Sequence, residues 1–303
     1  MRSRRSKKPL VVAGIPAYDE EKTIPRVIVQ VKPYVDRIIV CDDGSSDMTG
    51  EIAKELGADV VRHERNRGYG AAIGSLFKRA RRVGADAFVT LDADAQHNPS
   101  DIARLVKPVL DGRADVVIGS RFLTAEGKER IPRYRRAGIS GLTGLTKRAS
   151  GINVTDAQSG FRAYSRRALE LIVPTEEGMG VSTEILIKAA EKGLKIVEEP
   201  TMVAYKEARP THNPLYHMLD VVASTLKFVS IRHPLIFYGV PGLLALLIGV
   251  AFGVWSLQLY TVQGEFAPGV VLISVLLLLV GLSAIFMGVT LFTLISVLRE
   301  RSR

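Results

Sequence analysis

Two stretches near the C-terminus carry no charged residue at all, Leu235 to Val262 and Ala267 to Leu298. Each exceeds the ~20 apolar residues that an α-helix needs to cross a bilayer core. A helix inside a soluble core seldom stays free of charge for so long, so the pattern predicts a membrane hairpin. The connection Gln263-Gly264-Glu265-Phe266 is too short for a domain, which puts both ends of the hairpin on one side. Lys227, Arg232, Arg299, Arg301 and Arg303 flank those ends, whereas the tip carries only Glu265. The positive-inside rule then places the rest of the chain in the cytoplasm. A two-span protein of the cell membrane is expected. Ala245, Gly249 and Gly253 recur every four residues in the first run, and Ala284 and Gly288 do so in the second. Such ridges let helices approach closely, either to close the hairpin or to join copies into a homo-oligomer.

Those runs also resolve a conflict in the composition. The 303 residues include 41 Lys+Arg against 31 Asp+Glu, a net charge of +10, yet 47% are apolar and the mean hydropathy is slightly positive. The apolar excess sits in the spans. Positive charge clusters at Met1–Lys8, in the segment Arg121–Arg148 and beside the spans. This fits a chain held against an anionic membrane and argues against a nucleic-acid partner. The apolar run after the basic tail, Leu10 to Ile15, is too short for a signal-peptide core, so no cleavage is expected. A single cysteine, Cys41, excludes a disulfide framework and a Cys-based zinc site, and predicts a buried thiol.

The chain therefore reads as a basic tail (1–9), a catalytic-sized region (10–210), a juxtamembrane segment (211–233) and the hairpin with its basic end (234–303). In the juxtamembrane segment Leu215, Leu219, Val222, Leu226 and Val229 fall at helical spacing between polar residues. An amphipathic helix lying in the membrane interface is expected there. From Leu10 to about Ser120 strand and helix signals alternate. Apolar runs at Leu10–Ile15, Arg37–Cys41, Val60–Arg62, Ala87–Leu91 and Val116–Ile118 are separated by helical patterns such as Ile24–Val35 and Ala71–Val83. This predicts an α/β domain with an open, mostly parallel sheet covered by helices on both faces. Ligands of such sheets bind beyond the carboxyl ends of the strands.

The polar clusters lie at those ends. The first strand runs into Pro16-Ala17-Tyr18-Asp19-Glu20-Glu21, the second into Asp42-Asp43-Gly44-Ser45-Ser46-Asp47, and the fourth into Asp92-Ala93-Asp94-Ala95-Gln96-His97. Asp47 is placed to cap the helix starting near Met48. Capping does not account for Asp42-Asp43-Gly44 or for the Asp92-x-Asp94 pair. Two carboxylates spaced by one residue at a strand end can share a hard cation, Mg²⁺ or Mn²⁺, and leave positions open for diphosphate oxygens. After the third strand comes Asn66-Arg67-Gly68-Tyr69-Gly70-Ala71-Ala72-Ile73-Gly74. It follows the wrong strand for a dinucleotide fingerprint, its third glycine is one residue late, and no P-loop exists. A turn feeding a helix N-terminus could still approach a phosphate.

Taken as an ordered set, Ile15–Glu20, Asp42–Asp47, Asn66–Gly68, Asp92–His97 and Gly119-Ser120-Arg121-Phe122 resemble glycosyltransferase family 2 over roughly residues 10–210. Within it the chain is most similar to polyprenyl-phosphate sugar synthases of the dolichol-phosphate mannose synthase type, some of which carry two membrane spans. The resemblance implies a nucleotide-diphospho-sugar (GT-A type) fold. It implies a nucleotide-sugar pocket lined by Pro16, Tyr18, Glu20 and the strand end at Cys41, with Asp43 on the base. Asp92, Asp94 and Gln96 match the metal and diphosphate motif, and Arg121 the arginine near the phosphates. Asp156-Ala157-Gln158-Ser159-Gly160-Phe161 is similar to an acceptor-side loop, so Asp156 and Ser159 are expected there. Glu184 matches an acidic helix residue beside them.

Between Arg121 and Arg148 lie eight basic residues against Glu126 and Glu129. A lipid monophosphate acceptor needs cations of this kind. Arg135 corresponds to the family's acceptor-phosphate arginine, with Arg136 beside it. The serine a turn later falls on Ile139, with Ser140 one residue off. Lys206 and Arg209 could close over the phosphates.

The expected activity is metal-dependent transfer of a hexose from GDP-mannose, UDP-glucose or a similar donor to dolichyl or undecaprenyl phosphate, and the resemblance implies that the transfer is inverting. Two rivals remain. A processive polysaccharide synthase would carry Gln-x-x-Arg-Trp, but here Gln158 precedes Ser159-Gly160-Phe161-Arg162 and the one tryptophan, Trp255, lies in a span. A non-catalytic scaffold would not need both Asp92 and Asp94.

Overall fold

The computed structural model describes residues 8–124, 136, 139–141, 143–144, 147, 151–202, 230, 234–264 and 266–301. Contacts divide the chain into two compact units, Met1–Thr225 and Leu226–Arg303.

The first unit is built on β1 (Val11–Ala17), α1 (Ile24–Val31), β2 (Arg37–Asp42), α2 (Thr49–Glu55), β3 (Asp59–Arg62), α3 (Tyr69–Val83), β4 (Ala87–Thr90), α4 (Ile102–Leu110) and β5 (Val116–Ser120). After residue 151 follow β6 (Arg162–Ser165), α5 (Arg166–Leu171), α6 (Val181–Glu191) and β7 (Ile196–Pro200). The seven strands form one sheet in the order β3-β2-β1-β4-β6-β5-β7. All neighbours are parallel except β6, which runs antiparallel to both β4 and β5. The five strands expected from the sequence are present, each shifted by at most two residues at an end. β6 and β7 add to them.

Helices cover both faces. On one, α1 buries Ile24, Val27, Ile28 and Val31, the i, i+3, i+4, i+7 stripe of its sequence, and α4 buries Ile102, Leu105, Val106 and Val109. On the other, α3 turns Ala72, Ile73, Leu76, Phe77 and Ala80 inward. Phe77 meets Phe88 and Tyr164 edge-on, at centroid distances of 5.6 and 4.8 Å, an arrangement that suits aromatic quadrupoles. The helix pattern read to Val35 ends earlier: Pro33 sits in a 3-10 turn, Lys32–Tyr34, that closes α1.

The second unit is a helical hairpin. A π-helical turn, Leu235–Gly239, leads into α7 (Val240–Gln263), and α8 spans Pro268–Arg301. Leu235–Val262 and Pro268–Ile295 are each long and apolar enough to cross a membrane, and only 11% of either window is buried. Small residues fill the seam. A Cβ on Gly242 would lie 2.9 Å from the Gly281 carbonyl, and one on Gly281 would lie 2.7 Å from that of Gly242. Ser274 donates from Oγ to the Gly249 carbonyl at 2.7 Å. Leu243, Leu247, Val254, Leu276, Leu279 and Phe286 point outward, as lipid-facing side chains would. The juxtamembrane segment 211–229 lies outside the described residues.

Candidate active site

The carboxyl ends of β1, β2 and β4 meet at one edge of the sheet, and the loops after β1 and β2 are interlocked. Asp19 accepts from the Ser46 amide at 2.8 Å, while the Asp19 and Glu20 amides donate to Ser45 Oγ and Thr49 Oγ1. Asp47 Oδ1 accepts from the Thr49 amide at 2.9 Å and its Oδ2 takes the Glu21 amide, while the cap position of the helix falls one residue later than expected, on Met48, with no side-chain cap bond. Two non-glycine residues here have positive φ, Asp19 (54°) and Ala95 (60°). Both lie in strand-end loops, where backbone strain commonly accompanies a site.

Asp43, expected to meet a base, is buried and held on three sides. Its Oδ1 lies 2.5 Å from His63 Nδ1 and accepts from the Arg67 amide at 3.0 Å, and its Oδ2 accepts from Gly68 at 2.8 Å. A carboxylate can only accept, so His63 carries its proton on Nδ1. Nε2 then faces Ser75 Oγ at 2.8 Å and Cys41 Sγ at 3.7 Å. Cys41 is fully buried behind this group, and burial pushes its thiol up to about 12. Pro16 is buried at the end of β1, and Tyr18 stands exposed just beyond it.

Asp92 is half-buried at the end of β4. Tyr69 Oη donates to its Oδ1 and His97 Nε2 faces its Oδ2, each at 3.2 Å. Burial opposes ionisation of Asp92, but His97, the Tyr69 hydroxyl and the charge of Arg121 outweigh it and hold its carboxyl below the usual range. Asp94 Oδ1 accepts from the Gln96 amide at 3.0 Å, which pins the turn between them. Glu20 is raised above the ordinary glutamate value, first by burial and then, against the Thr23 hydroxyl, by the charges of Asp94, Asp47 and Asp92. Negative potential therefore accumulates around the Asp92–Asp94 pair. Among the described residues no three His, Cys, Asp or Glu side chains form a closed cation cage. Two hard oxygen donors that share a negative field with Glu20 fit a cation that takes its other ligands from a substrate.

Arg121 reaches the same region by another route. Its Nε and Nη2 grip Asp156 Oδ2 and Oδ1 at 2.6 and 2.8 Å, and Asp156 is fully buried. Glu198 on β7 supports this loop by accepting from the Thr155 and Asp156 amides. Ser159 is buried nearby in sequence, and Gln158 Nε2 donates to Thr183 Oγ1 at 3.2 Å. Arg162 is buried as well, donating to the carbonyls of Ser182 and Ala157.

Two expectations take a different form. The glycine-rich turn before α3 does not open onto a free helix N-terminus. The Glu177 carbonyl accepts from Gly70 at 2.7 Å and Ala71 at 3.3 Å, and a Cβ on Gly70 would lie 2.1 Å from the Glu176 carbonyl. The glycines admit a neighbouring backbone rather than a phosphate. Glu184 likewise faces inward, where it accepts from the Thr175 and Glu176 amides and from Lys188 Nζ at 2.6 Å. It fixes the turn that plugs α3. Among the acceptor-phosphate candidates, Ser140 is exposed and Arg136 half-buried, while Ile139 packs on Phe122. Arg135, Lys206 and Arg209 lie outside the described residues.

Sequence reasoning passed over His63, Tyr69, Glu198 and the support that His97 gives Asp92. His97 could have been noticed as the residue closing the Asp92–Gln96 turn. The others are joined to the site only by the sheet order.

The chain is similar to known proteins over much of its length. The family model "Glycosyl transferase family 2" matches residues 13–172. A UDP-N-acetylglucosamine–dolichyl-phosphate N-acetylglucosaminyltransferase of Methanococcus voltae is 36% identical, over 65% of this chain and 87% of that protein. A polyprenol monophosphomannose synthase of Mycolicibacterium smegmatis is 33% identical, over 67% and 80%. Among solved structures, glucosyl-3-phosphoglycerate synthase from Mycobacterium tuberculosis with Mn²⁺, UDP and glucosyl-3-phosphoglycerate aligns at a TM-score of 0.55 and 26% identity, over 73% of this chain and 80% of that one. With its GT-A-like sheet, its strand-end carboxylates and its two long apolar C-terminal helices, the chain belongs to glycosyltransferase family 2.

Proposed function

We propose that this glycosyltransferase moves one hexose-type sugar from a nucleotide diphosphate donor to the phosphate of a polyprenyl lipid, working at a membrane that its hairpin spans. The observation that carries the reading is the Asp92–Asp94 pair at the end of β4, in a negative field shared with Glu20. The named relatives act on dolichyl and polyprenyl phosphates, and the two apolar helices suit an enzyme whose acceptor is a lipid.

Asp92, Asp94 and Gln96 would hold Mg²⁺ or Mn²⁺, which when bound offsets charge on the donor diphosphate. Arg121 adds a positive charge near Asp92. An acceptor phosphate is already largely ionised near neutral pH, so its oxygen needs no strong protein base. That oxygen bonds to the anomeric carbon as the bond to the diphosphate breaks, and the nucleoside diphosphate leaves with the electron pair. One in-line displacement inverts the anomeric centre. Arg135, with Arg136, Ser140, Lys206 and Arg209, is proposed to receive the lipid phosphate, on the cytoplasmic side.

The finer reading is a uridine donor. An ionised carboxylate offers about four lone-pair sites, and His63, Arg67 and Gly68 take three of those on Asp43. One site on Oδ2 suits the single imino N–H of uracil better than the two adjacent donors of guanine. The Methanococcus voltae relative is named for a UDP-sugar.

Membranes containing the full chain, polyprenyl phosphate and Mn²⁺ would be incubated with labelled UDP-glucose, UDP-N-acetylglucosamine or GDP-mannose. Label should enter the lipid phase from a uridine donor and not with Asp94→Ala. Transfer from GDP-mannose alone would overturn only the uridine reading; no lipid label from any donor would overturn the acceptor assignment.

A further inference from the structure

We propose that Tyr69, His97 and Gly160 form a clamp that sets the orientation of the Asp92 carboxylate for its cation, with Tyr69 and His97 as positioning residues. The proposal rests on the reading that Asp92 and Asp94 hold a divalent cation. An aspartate carboxylate rotates in a broad, shallow well about its terminal bond, so only outside contacts can fix which lone pairs face a metal.

Three segments far apart in sequence supply those contacts. Tyr69, the first residue of α3, donates to Oδ1 at 3.2 Å. Asp92 can only accept when ionised, so the Tyr69 hydroxyl is the donor of this pair. His97 faces Oδ2 at 3.2 Å with its ring 4.8 Å from that of Phe161. A carboxylate only accepts, so the imidazole proton sits on Nε2. Gly160 closes the third side: a Cβ there would lie 2.7 Å from Tyr69 Oη and 3.0 and 3.1 Å from the two Asp92 oxygens.

Each piece is itself anchored. Tyr69 is held by the Glu177 carbonyl on the next two amides, and Gly160 by Thr90 Oγ1, which donates to its carbonyl at 2.8 Å. The His97 side chain is about nine-tenths buried, and among the described residues its Nδ1 has no hydrogen-bond partner. Burying a polar atom without a partner costs stability. A histidine serving packing alone would gain by being apolar, so what it returns is the contact with Asp92. Groups that orient a metal ligand from behind typically change metal affinity by about 10–100-fold when removed.

The test uses the full chain in detergent and reads Mn²⁺ binding by the electron paramagnetic resonance signal of the free ion. Tyr69→Phe and His97→Ala should each weaken Mn²⁺ about 10-fold and lower kcat more than they raise KM for the acceptor. His97→Gln, which keeps a donor, should recover much of the loss. Gly160→Ala should mimic both, and Gly74→Ala, on the same helix as Tyr69, should leave binding unchanged. Affinities within twofold of the parent, with only the melting temperature lowered, would overturn the clamp. A parent chain that binds no Mn²⁺ and is unaffected by Asp94→Ala would overturn the cation reading beneath it.

Discussion

The guanidinium of Arg121 is locked onto both oxygens of Asp156, at 2.6 and 2.8 Å, with the carboxylate fully removed from solvent. The arginine expected at the donor phosphates is thus oriented by the aspartate expected on the acceptor side. One buried ion pair ties the end of β5 to the 156–161 loop. Removing one partner strands the other, at a cost of about 3–5 kcal/mol. Arg121→Ala and Asp156→Ala should therefore each destabilise strongly, and the double variant should fall well short of their sum. Chemical unfolding of the four proteins measures the coupling, and additive losses would refute it.

The glycines of α3 differ sharply in what they tolerate. A Cβ on Gly70 would meet the Glu176 carbonyl at 2.1 Å, whereas one on Gly74 finds its nearest neighbour, the Pro174 carbonyl, at 3.7 Å. Gly74→Ala should stabilise by about 0.5–1 kcal/mol through helix propensity. Gly70→Ala should destabilise and loosen the 173–180 turn. Thermal melts of both variants, with proteolysis across that turn, would check the contrast.

Burial pushes the Cys41 thiol up to about 12, so at pH 8 the folded protein presents almost no thiolate. Alkylation by iodoacetamide should be undetectable in the native state and should follow the unfolding curve in urea. Rapid labelling without denaturant would show that the β2 core opens.

Glu20 is raised first by its burial and then by its acidic neighbours. A group whose folded value exceeds its unfolded one supports the fold below its unfolded pKa, and that support is lost as pH rises through the folded value. Glu20→Gln should therefore raise the melting temperature at neutral pH, and the gain should shrink toward pH 4. Adding Mn²⁺ to the parent should narrow the same gap. Melting curves across pH, with and without the ion, would settle the sign.

The hydrophobic pattern by itself determined a great deal here. Strands β1 to β5, the inward faces of α1 and α3, and the hairpin were readable because burial imposes periods that local sequence records. The acidic clusters were legible for a related reason: each follows a strand, and a parallel sheet sends all such loops to one edge. Tertiary structure alone decided what those residues touch. The four-residue β6, Arg162–Ser165, inserts antiparallel between β4 and β5, and so carries Gly160 and Phe161 to Asp92 and His97. No local period encodes that insertion. Gly68 and Gly70 read in sequence as a phosphate turn, yet they receive the backbone of residues 176 and 177, about 110 positions away. Glu184 reads as an acid beside the acceptor-side loop, and its carboxylate is buried under that same turn. A sequence records which side chains prefer water. Which partner fills each lone pair depends on segments that meet only when the sheet has closed.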